Sequence, residues 1–238
     1  DKTARIWDAK TGREIRTFEG HGDGVMSAVF SPDAGLVLTA SIDETARIWD
    51  AKTGREIRTF EGHGDGVISA VFSPDASLVL TASFDKTARI WDAKTGREIR
   101  TFEGHGDWVW SALFSPDASF VLTASADKTA RIWDAKTGRE IRTFEGHGSE
   151  VWSAVFSPDA SLVLTASADK TARIWDTTGG MLLRILVPVA GGWLSLDAEG
   201  RYLGEGEGLE CLSYRDPEEQ SLWPTLWHAE DLPQMRAK

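Results

Sequence analysis

The feature that most constrains this chain is an internal period of forty-two residues. The unit from His63 to Gly104 recurs along the chain in copies that are almost identical. A fixed period of roughly 20 to 50 residues is typical of repeat architectures, in which each unit buries its apolar face only against its neighbours. The tryptophan of the unit returns at Trp7, Trp49, Trp91, Trp133 and Trp175.

Each unit reads as four short strands, which we letter a to d. The apolar runs 67–72 and 78–83 are separated by a Ser-Pro-Asp turn, which predicts a hairpin of strands a and b. The segments 87–91 and 98–102 alternate polar and apolar residues around a five-residue turn that contains glycine, which predicts strands c and d. The sequence therefore predicts an all-β fold of four-stranded antiparallel units.

Particular residues within the unit resemble a known family. Gly62-His63 precedes strand a, Asp85 lies in the turn before strand c, and Trp91-Asp92 closes strand c. In these residues the chain resembles the WD-repeat (tryptophan-aspartate) family of β-propellers, from Asp1 to about Asp176. The resemblance implies blades of four strands that run from the axis outward and are arranged radially.

The resemblance also implies a hydrogen-bonded tetrad in each blade, made of a histidine, a strand b hydroxyl, the turn aspartate and the strand c tryptophan. A buried indole N–H needs an acceptor, because leaving it unpaired costs about 1–3 kcal/mol. Carried over by position, the tetrads are His21, Thr39, Asp43 and Trp49; His63, Thr81, Asp85 and Trp91; His105, Thr123, Asp127 and Trp133; and His147, Thr165, Asp169 and Trp175.

The repeats divide the chain at about residue 189. Residues 1–18 supply only strands c and d, and full repeats open at residues 21, 63, 105 and 147. In the divergent tail, 190–238, residues 191–206 align with strands a and b. We expect them to complete the blade begun at the amino terminus, which gives a closed ring of five blades. The alternatives are a strand c at 209–214, a truncated propeller, or a propeller completed by a second chain.

The end of the tail and the start of the chain carry two further expectations. The segment 221–236, with two prolines and two tryptophans, reads as a latch over the last blade or as a docking segment for another domain. Asp1 is not an initiator methionine and lies inside a repeat, so we expect the chain to be part of a longer protein.

The net charge and the cysteine content limit which classes of partner and which cellular compartment we expect. The formal net charge is −11, and 10 of the 37 acidic residues lie in the tail. Such a surface repels phosphate and anionic lipid, so we expect a protein or peptide partner rather than nucleic acid or a membrane. The single Cys211, together with the lack of a signal peptide or a long apolar span in the sequence, predicts a cytoplasmic protein.

The a-b halves of the four full copies differ at eight positions, and the last copy also has a changed strand d, residues 181–186. Five of these columns fall at the start of strand a or the end of strand b, which antiparallel pairing brings to one face of each blade. Neutral drift after duplication would explain these differences without any function. However, several of the variant residues are large and apolar, as the residues of binding hot spots are. The predicted partner-binding residues are Met26, Ile42, Ile68, Phe84, Trp108, Trp110, Glu150 and Trp152.

The sequence does not favour catalysis. Histidine, aspartate and a hydroxyl together could form a catalytic triad, but the same set recurs in four blades, where each residue has a structural role in a tetrad. A histidine whose ring is held by such hydrogen bonds is a poor general base. The histidines lack companions at the spacing of zinc ligands, so we expect no metal and no cofactor. We therefore predict a non-catalytic binding module, the interaction part of a signalling or defence protein, with an oligomer-forming assembly platform as the alternative.

Overall fold

A computed structural model describes residues 1–189, 192–198 and 200–205. Every regular element in this part of the chain is a β-strand. In chain order the strands are β1 Ala4–Trp7, β2 Glu14–Phe18, β3 Val25–Phe30, β4 Leu36–Ser41, β5 Ala46–Asp50, β6 Glu56–Phe60, β7 Val67–Phe72, β8 Leu78–Ser83, β9 Ala88–Asp92, β10 Glu98–Phe102, β11 Val109–Phe114, β12 Phe120–Ser125, β13 Ala130–Asp134, β14 Glu140–Phe144, β15 Val151–Phe156, β16 Leu162–Ser167, β17 Ala172–Asp176, β18 Leu182–Val189, β19 Gly192–Asp197 and β20 Tyr202–Glu205.

The turn between strands a and b is fixed by its own side chains. The Ser73 hydroxyl donates to Asp75 Oδ1 at 2.6 Å and accepts the amide of Leu78 at 3.0 Å. Ala76 takes the left-handed backbone conformation, with φ of +58°, and its amide donates to the Ser73 carbonyl. The local hydrogen bonds offset the strain of this alanine, so the turn sets the register of the hairpin.

The turn between strands c and d uses an aspartate in the same way. Asp92 Oδ1 accepts both the amide and the hydroxyl of Thr95, at 2.6 and 2.7 Å. Gly96 follows with φ of +77°, a conformation that glycine adopts without steric cost. Because this turn is repeated in four copies, strands c and d meet at the same register in each.

Four complete blades follow an amino-terminal sheet of two strands. The sheets are β1-β2, then blade I (β3–β6), blade II (β7–β10), blade III (β11–β14) and blade IV (β15–β18), all antiparallel. Strands a of successive blades contact each other, as β3 does β7 and β7 does β11. The predicted fold class is confirmed: the chain is an all-β propeller of four-stranded blades, about five in number.

The core lies between the blades. Leu38, Ile48 and Phe60 of blade I are buried against Val79 and Trp91 of blade II, and the same positions pack in the next two interfaces. Because one apolar side of a blade is buried by the following blade, the fold depends on side-by-side stacking of the units.

The tail strands pair differently from the expectation. β19 hydrogen-bonds to β18, with Ile185 opposite Leu196, and β20 continues the same sheet, so that this sheet has six strands. The expected partners, β1 and β2, form a separate two-stranded sheet. The physical reason is local: β18 is an eight-residue strand, and only two residues separate it from β19. Pairing two strands that are so close in sequence costs far less entropy than returning to the amino terminus.

The remaining tail predictions lie outside the described residues. They concern the strand at 209–214, the segment 221–236 and Cys211.

Candidate protein-interaction face

The four side chains of each predicted tetrad form one chain of hydrogen bonds. In blade II, Trp91 Nε1 donates to Thr81 Oγ1 at 2.8 Å, and His63 Nε2 lies 2.7 Å from the same hydroxyl. His63 Nδ1 lies 2.7 Å from Asp85 Oδ2. The three other blades repeat these contacts within 0.1 Å: His21, Thr39, Asp43 and Trp49; His105, Thr123, Asp127 and Trp133; and His147, Thr165, Asp169 and Trp175.

Burial and hydrogen bonding fix the charges in blade I. Burial raises the pKa of the Asp43 carboxyl, but the Thr45 hydroxyl, the Gly22 amide and His21 outweigh it and lower that pKa to about 2. Burial lowers the pKa of His21, against the opposing effect of Asp43. A neutral His21 that donates from Nδ1 to the carboxylate and accepts the Thr39 proton at Nε2 leaves the Thr39 oxygen to accept from Trp49 Nε1.

The turn aspartates of the other blades have the same character. Burial raises the pKa of Asp85, but hydrogen bonds from His63 and Thr87 outweigh burial and hold that pKa well below its usual range. The pKa values of Asp127 and Asp169 are lowered by the equivalent partners. Both nitrogens of each tetrad histidine are engaged, so these histidines have a structural function and are not placed to exchange protons with a substrate.

Backbone hydrogen bonds bring the variable columns to one face of each blade. The amide after strand b donates to the carbonyl before strand a, as Phe84 N does to Gly66 O at 3.0 Å and Ala126 N to Trp108 O at 2.9 Å. The same bond links Ile42 to Gly24. The loop before strand a and the turn after strand b therefore form one surface, which we call the a-b face.

Three aromatic side chains of blades II and III cluster on the a-b face. The ring of Phe84 in blade II lies 4.5 Å from that of Trp108 and 5.6 Å from that of Trp110, both in blade III. The two tryptophan rings meet edge to face at 5.6 Å. Trp108 is 41% exposed, whereas Trp110 Nε1 is buried without a hydrogen-bond partner among the described residues. We call these three residues the aromatic cluster.

The other predicted partner-binding residues differ in exposure. Trp152 is 55% exposed, Met26 46% and Ile42 38%, and Glu150 is half-buried. Ile68 is only 9% exposed and is therefore not available as a contact. Ile42 belongs to the turn after strand b and Glu150 to the loop before strand a, whereas Met26, Ile68 and Trp152 lie in strand a itself.

Two of the variable columns compensate each other, which sequence reasoning missed. A Cβ at Gly66 would lie 3.2 Å from the Phe84 ring and 3.2 Å from Ile42 Cα of blade I, so a larger residue there requires its neighbours to shift. At Gly24 the nearest atom to such a Cβ, Ile42 Cδ1, is 4.0 Å away. In blades III and IV the residue after strand b is alanine, and the residue before strand a is large. The signal was present in the copies, as four pairs: Gly24 with Ile42, Gly66 with Phe84, Trp108 with Ala126, and Glu150 with Ala168.

A second missed residue joins adjacent blades on the same face. Lys86 belongs to a variable column, and its ammonium donates to the Gly106 carbonyl of blade III at 3.0 Å. Since Gly106 lies two residues before Trp108, this bond holds the loop that carries part of the aromatic cluster.

The geometry of the blades agrees with comparison to known families. The family described as WD domain, G-beta repeat matches residues 12–50, 54–92, 96–134 and 138–176, which is more than half of the chain. The chain belongs to the WD-repeat family. WD-repeat propellers generally act as scaffolds for protein–protein interaction and are typically non-catalytic. Comparison with curated proteins found no match.

Two other classes of site have no candidate among the described residues. No helix in the part of the chain that the structure describes has the length and apolar character of a membrane span. Among those same residues, no group of three or more His, Cys, Asp or Glu is arranged to hold a metal ion.

Proposed function

We propose that this WD-repeat propeller binds a protein or peptide partner through its a-b face, with the aromatic cluster of Phe84, Trp108 and Trp110 at the centre of the contact. The observation that carries the proposal is the packing of three rings from two adjacent blades at a surface where Trp108 is 41% exposed. Aromatic side chains bury large areas at little cost in conformational entropy, which makes them typical anchors of interfaces.

The polar group of the cluster supports the same function. A buried N–H without an acceptor costs about 1–3 kcal/mol, and the tetrad tryptophans avoid that cost through their hydrogen bonds. Trp110 Nε1, by contrast, is buried and has no hydrogen-bond acceptor among the described residues. A small shift of the Trp108 ring on binding gives this donor access to a carbonyl of the partner, so the partner we expect presents an apolar side chain beside a backbone carbonyl.

The role of the propeller in the cell belongs to the same proposal. We propose that it is the interaction part of a larger signalling or defence protein of the cytoplasm. What supports this is the identity of strands c and d in the amino-terminal sheet and in blades I to III, combined with the variation of the a-b halves that accompany them. Imaging of the tagged full-length protein in its own host tests the compartment, and a membrane or secreted location contradicts it.

The binding experiment uses a displayed library of random peptides selected on the immobilised protein. The test variant is Trp108→Gly with Trp110→Ile, because blade II carries glycine and isoleucine in these columns and the fold accepts them there. We expect the selected peptides to bind this variant at least tenfold more weakly, which corresponds to about 1.4 kcal/mol. The matched control is Ile99→Thr, since Ile99 is 47% exposed on strand d, away from the a-b face.

The outcomes separate clearly. Loss of binding in the double variant, with Ile99→Thr unchanged and both proteins folded, supports the proposal. Equal binding by wild type and the double variant contradicts it.

A further inference from the structure

The a-b face of blades I to III carries an excess of negative charge. Each loop before strand a has two exposed acidic residues, and blade I adds a third in the turn after strand b. These residues are Glu19, Asp23, Glu44, Glu61, Asp65, Glu103 and Asp107. None of the seven forms an ion pair among the described residues. The turn aspartates are left out of this set, because each pairs with a histidine and an arginine of its own blade, as Asp85 does with His63 and Arg89.

The opposite face of the same blades is balanced in charge. The a-b turn and the c-d turn meet there, since the Ala93 amide donates to the Ser77 carbonyl at 3.0 Å. In blades I to III these turns and the last residue of strand c contain as many basic as acidic residues: Asp33, Asp50, Lys52 and Arg55; Asp75, Asp92, Lys94 and Arg97; and Asp117, Asp134, Lys136 and Arg139. Within these blades the negative charge is therefore concentrated on the face that carries the aromatic cluster.

Two of the unpaired carboxylates flank the aromatic cluster and are held in position. Asp65 Oδ1 accepts the amide of Gly66 at 2.7 Å, and Asp107 Oδ1 accepts the amide of Trp108 at 2.9 Å. A Cβ at Gly66 would lie 3.2 Å from the Phe84 ring, so each aspartate is next in sequence to a residue at the cluster. In both aspartates the other oxygen, Oδ2, has no hydrogen-bond partner among the described residues. The bond to the amide restricts the side chain before any ligand binds, which lowers the entropy cost of using it.

Two lysines on the a-b face of these blades oppose this charge. The Lys86 ammonium is already engaged, since it donates to the Gly106 carbonyl at 3.0 Å, and Lys128 is exposed in the turn after strand b of blade III. Blade I has Glu44 at the same position of the repeat. Two positive charges do not balance seven carboxylates, so the surroundings of the aromatic cluster remain negative.

We infer that the partner of the a-b face is a cationic peptide segment, in which lysine or arginine flanks the apolar side chain that the aromatic cluster binds. The inference rests on the proposed function, because the cluster supplies the apolar contact and Asp65 and Asp107 supply the contacts for the cations. Charge complementarity selects this occupant, since the same carboxylates repel an acidic or phosphorylated segment. A guanidinium or ammonium at Asp107 also lies close to the exposed Trp108 ring, and a cation is attracted to the face of an indole.

The experiment applies the displayed peptide library at low ionic strength and sequences the selected peptides. The test variant is Asp65→Asn with Asp107→Asn. An asparagine oxygen still accepts the amides of Gly66 and Trp108, so the loops keep their hydrogen bonds while two charges are removed. The matched control is Asp75→Asn with Asp117→Asn, which makes the same substitutions in the same two blades on the opposite face. Circular dichroism establishes that both variants are folded.

We expect the selected peptides to be enriched in lysine and arginine next to an apolar residue. Their affinity for the test variant is expected to be at least roughly fivefold lower than for wild type, because two charge pairs are lost, whereas the control binds as wild type does. Added salt screens exposed charges, so the difference between wild type and the test variant is expected to shrink at high ionic strength.

Selected peptides without an excess of lysine and arginine overturn the inference, and so does equal binding by wild type and the folded test variant. An equal loss of affinity in the opposite-face control overturns it as well. These results leave the proposed function standing if Trp108→Gly with Trp110→Ile still loses the peptides. Basic peptides that bind this tryptophan variant as tightly as wild type contradict the proposed function, and with it the pairing of a cation and an apolar contact.

Discussion

Tryptophan occupies two contrasting regions of this propeller. In the tetrads, Trp91 is 2% exposed, donates to Thr81 and recurs without change in every blade. On the a-b face, Trp108 is 41% exposed and its column contains glycine, tryptophan or glutamate in different blades. The difference teaches that one region maintains the stack through fixed hydrogen bonds. The other varies within limits set by its immediate neighbours.

The largest expected effect comes from breaking a tetrad. Thr81→Val removes the acceptor of Trp91 Nε1 and the hydroxyl beside His63 Nε2, which leaves two buried polar groups unpaired. We expect the free energy of unfolding to fall by about 2–4 kcal/mol, as measured by urea denaturation. Thr101→Val is the matched control, because the Thr101 hydroxyl donates to Glu98 at the surface. A loss of equal size in the control contradicts the assigned role of the tetrad.

The second prediction concerns the loss of stability at low pH. The pKa of Asp43 is lowered to about 2 in the folded protein, compared with roughly 4 in an unfolded chain. A group with a depressed folded pKa contributes stability above the unfolded value, and that contribution is lost as pH falls through the folded value. We therefore expect the melting temperature to fall between about pH 4 and pH 2.

The variant that tests this dependence of stability on pH is Asp43→Asn. It is expected to be less stable at neutral pH, and its stability should fall less steeply below pH 4, because one titrating carboxyl is gone. Parallel melting curves for the variant and wild type throughout this range contradict the linkage.

A smaller effect sharpens the description of the a-b face. Gly66→Trp alone places a side chain against the Phe84 ring and the Ile42 backbone, each 3.2 Å from the position of the new Cβ, and only the first of these contacts can be relieved by a change at residue 84. Adding Phe84→Ala reproduces the pair that blade III already carries. A double-mutant cycle is expected to give a coupling energy of about 0.5–3 kcal/mol in favour of the double variant. Additive effects of the two substitutions contradict the compensation between these columns.

The smallest expected effect on stability is that of Trp108→Glu. Blade IV has glutamate in this column, and the exposed Trp108 loses only its ring contacts. We expect the free energy of unfolding to fall by about 1–2 kcal/mol, since this partly exposed ring loses two aromatic pairs that contribute about 0.5–1.5 kcal/mol each. A loss comparable to that of Thr81→Val would place Trp108 in the structural core.

Local patterns predicted the blades well. The predicted strands at 67–72, 78–83 and 98–102 have those bounds in the structure, and strand c is displaced by one residue, to Ala88–Asp92. Turn chemistry and alternation act within a few residues, so one copy is enough to locate the strands. The tetrads followed from the family resemblance, and the common a-b face followed from antiparallel pairing.

What the sequence did not predict depends on neighbours in space. Ile68 is buried although Met26, in the same column, is 46% exposed. The pairing of β19 with β18 depended on the length of β18, which the repeat pattern did not suggest. The compensation of Gly66 by Phe84 required knowledge of which residues face each other across the a-b face. Period and composition carry no information on such contacts.

The most direct test of the central claim measures binding and folding on the same variant. Titration of a selected peptide against Trp108→Gly with Trp110→Ile, together with its urea denaturation, separates recognition from stability. The account predicts an affinity at least tenfold lower and a free energy of unfolding within about 2 kcal/mol of wild type. Unchanged affinity in a folded variant would contradict the claim that the a-b face is the recognition surface.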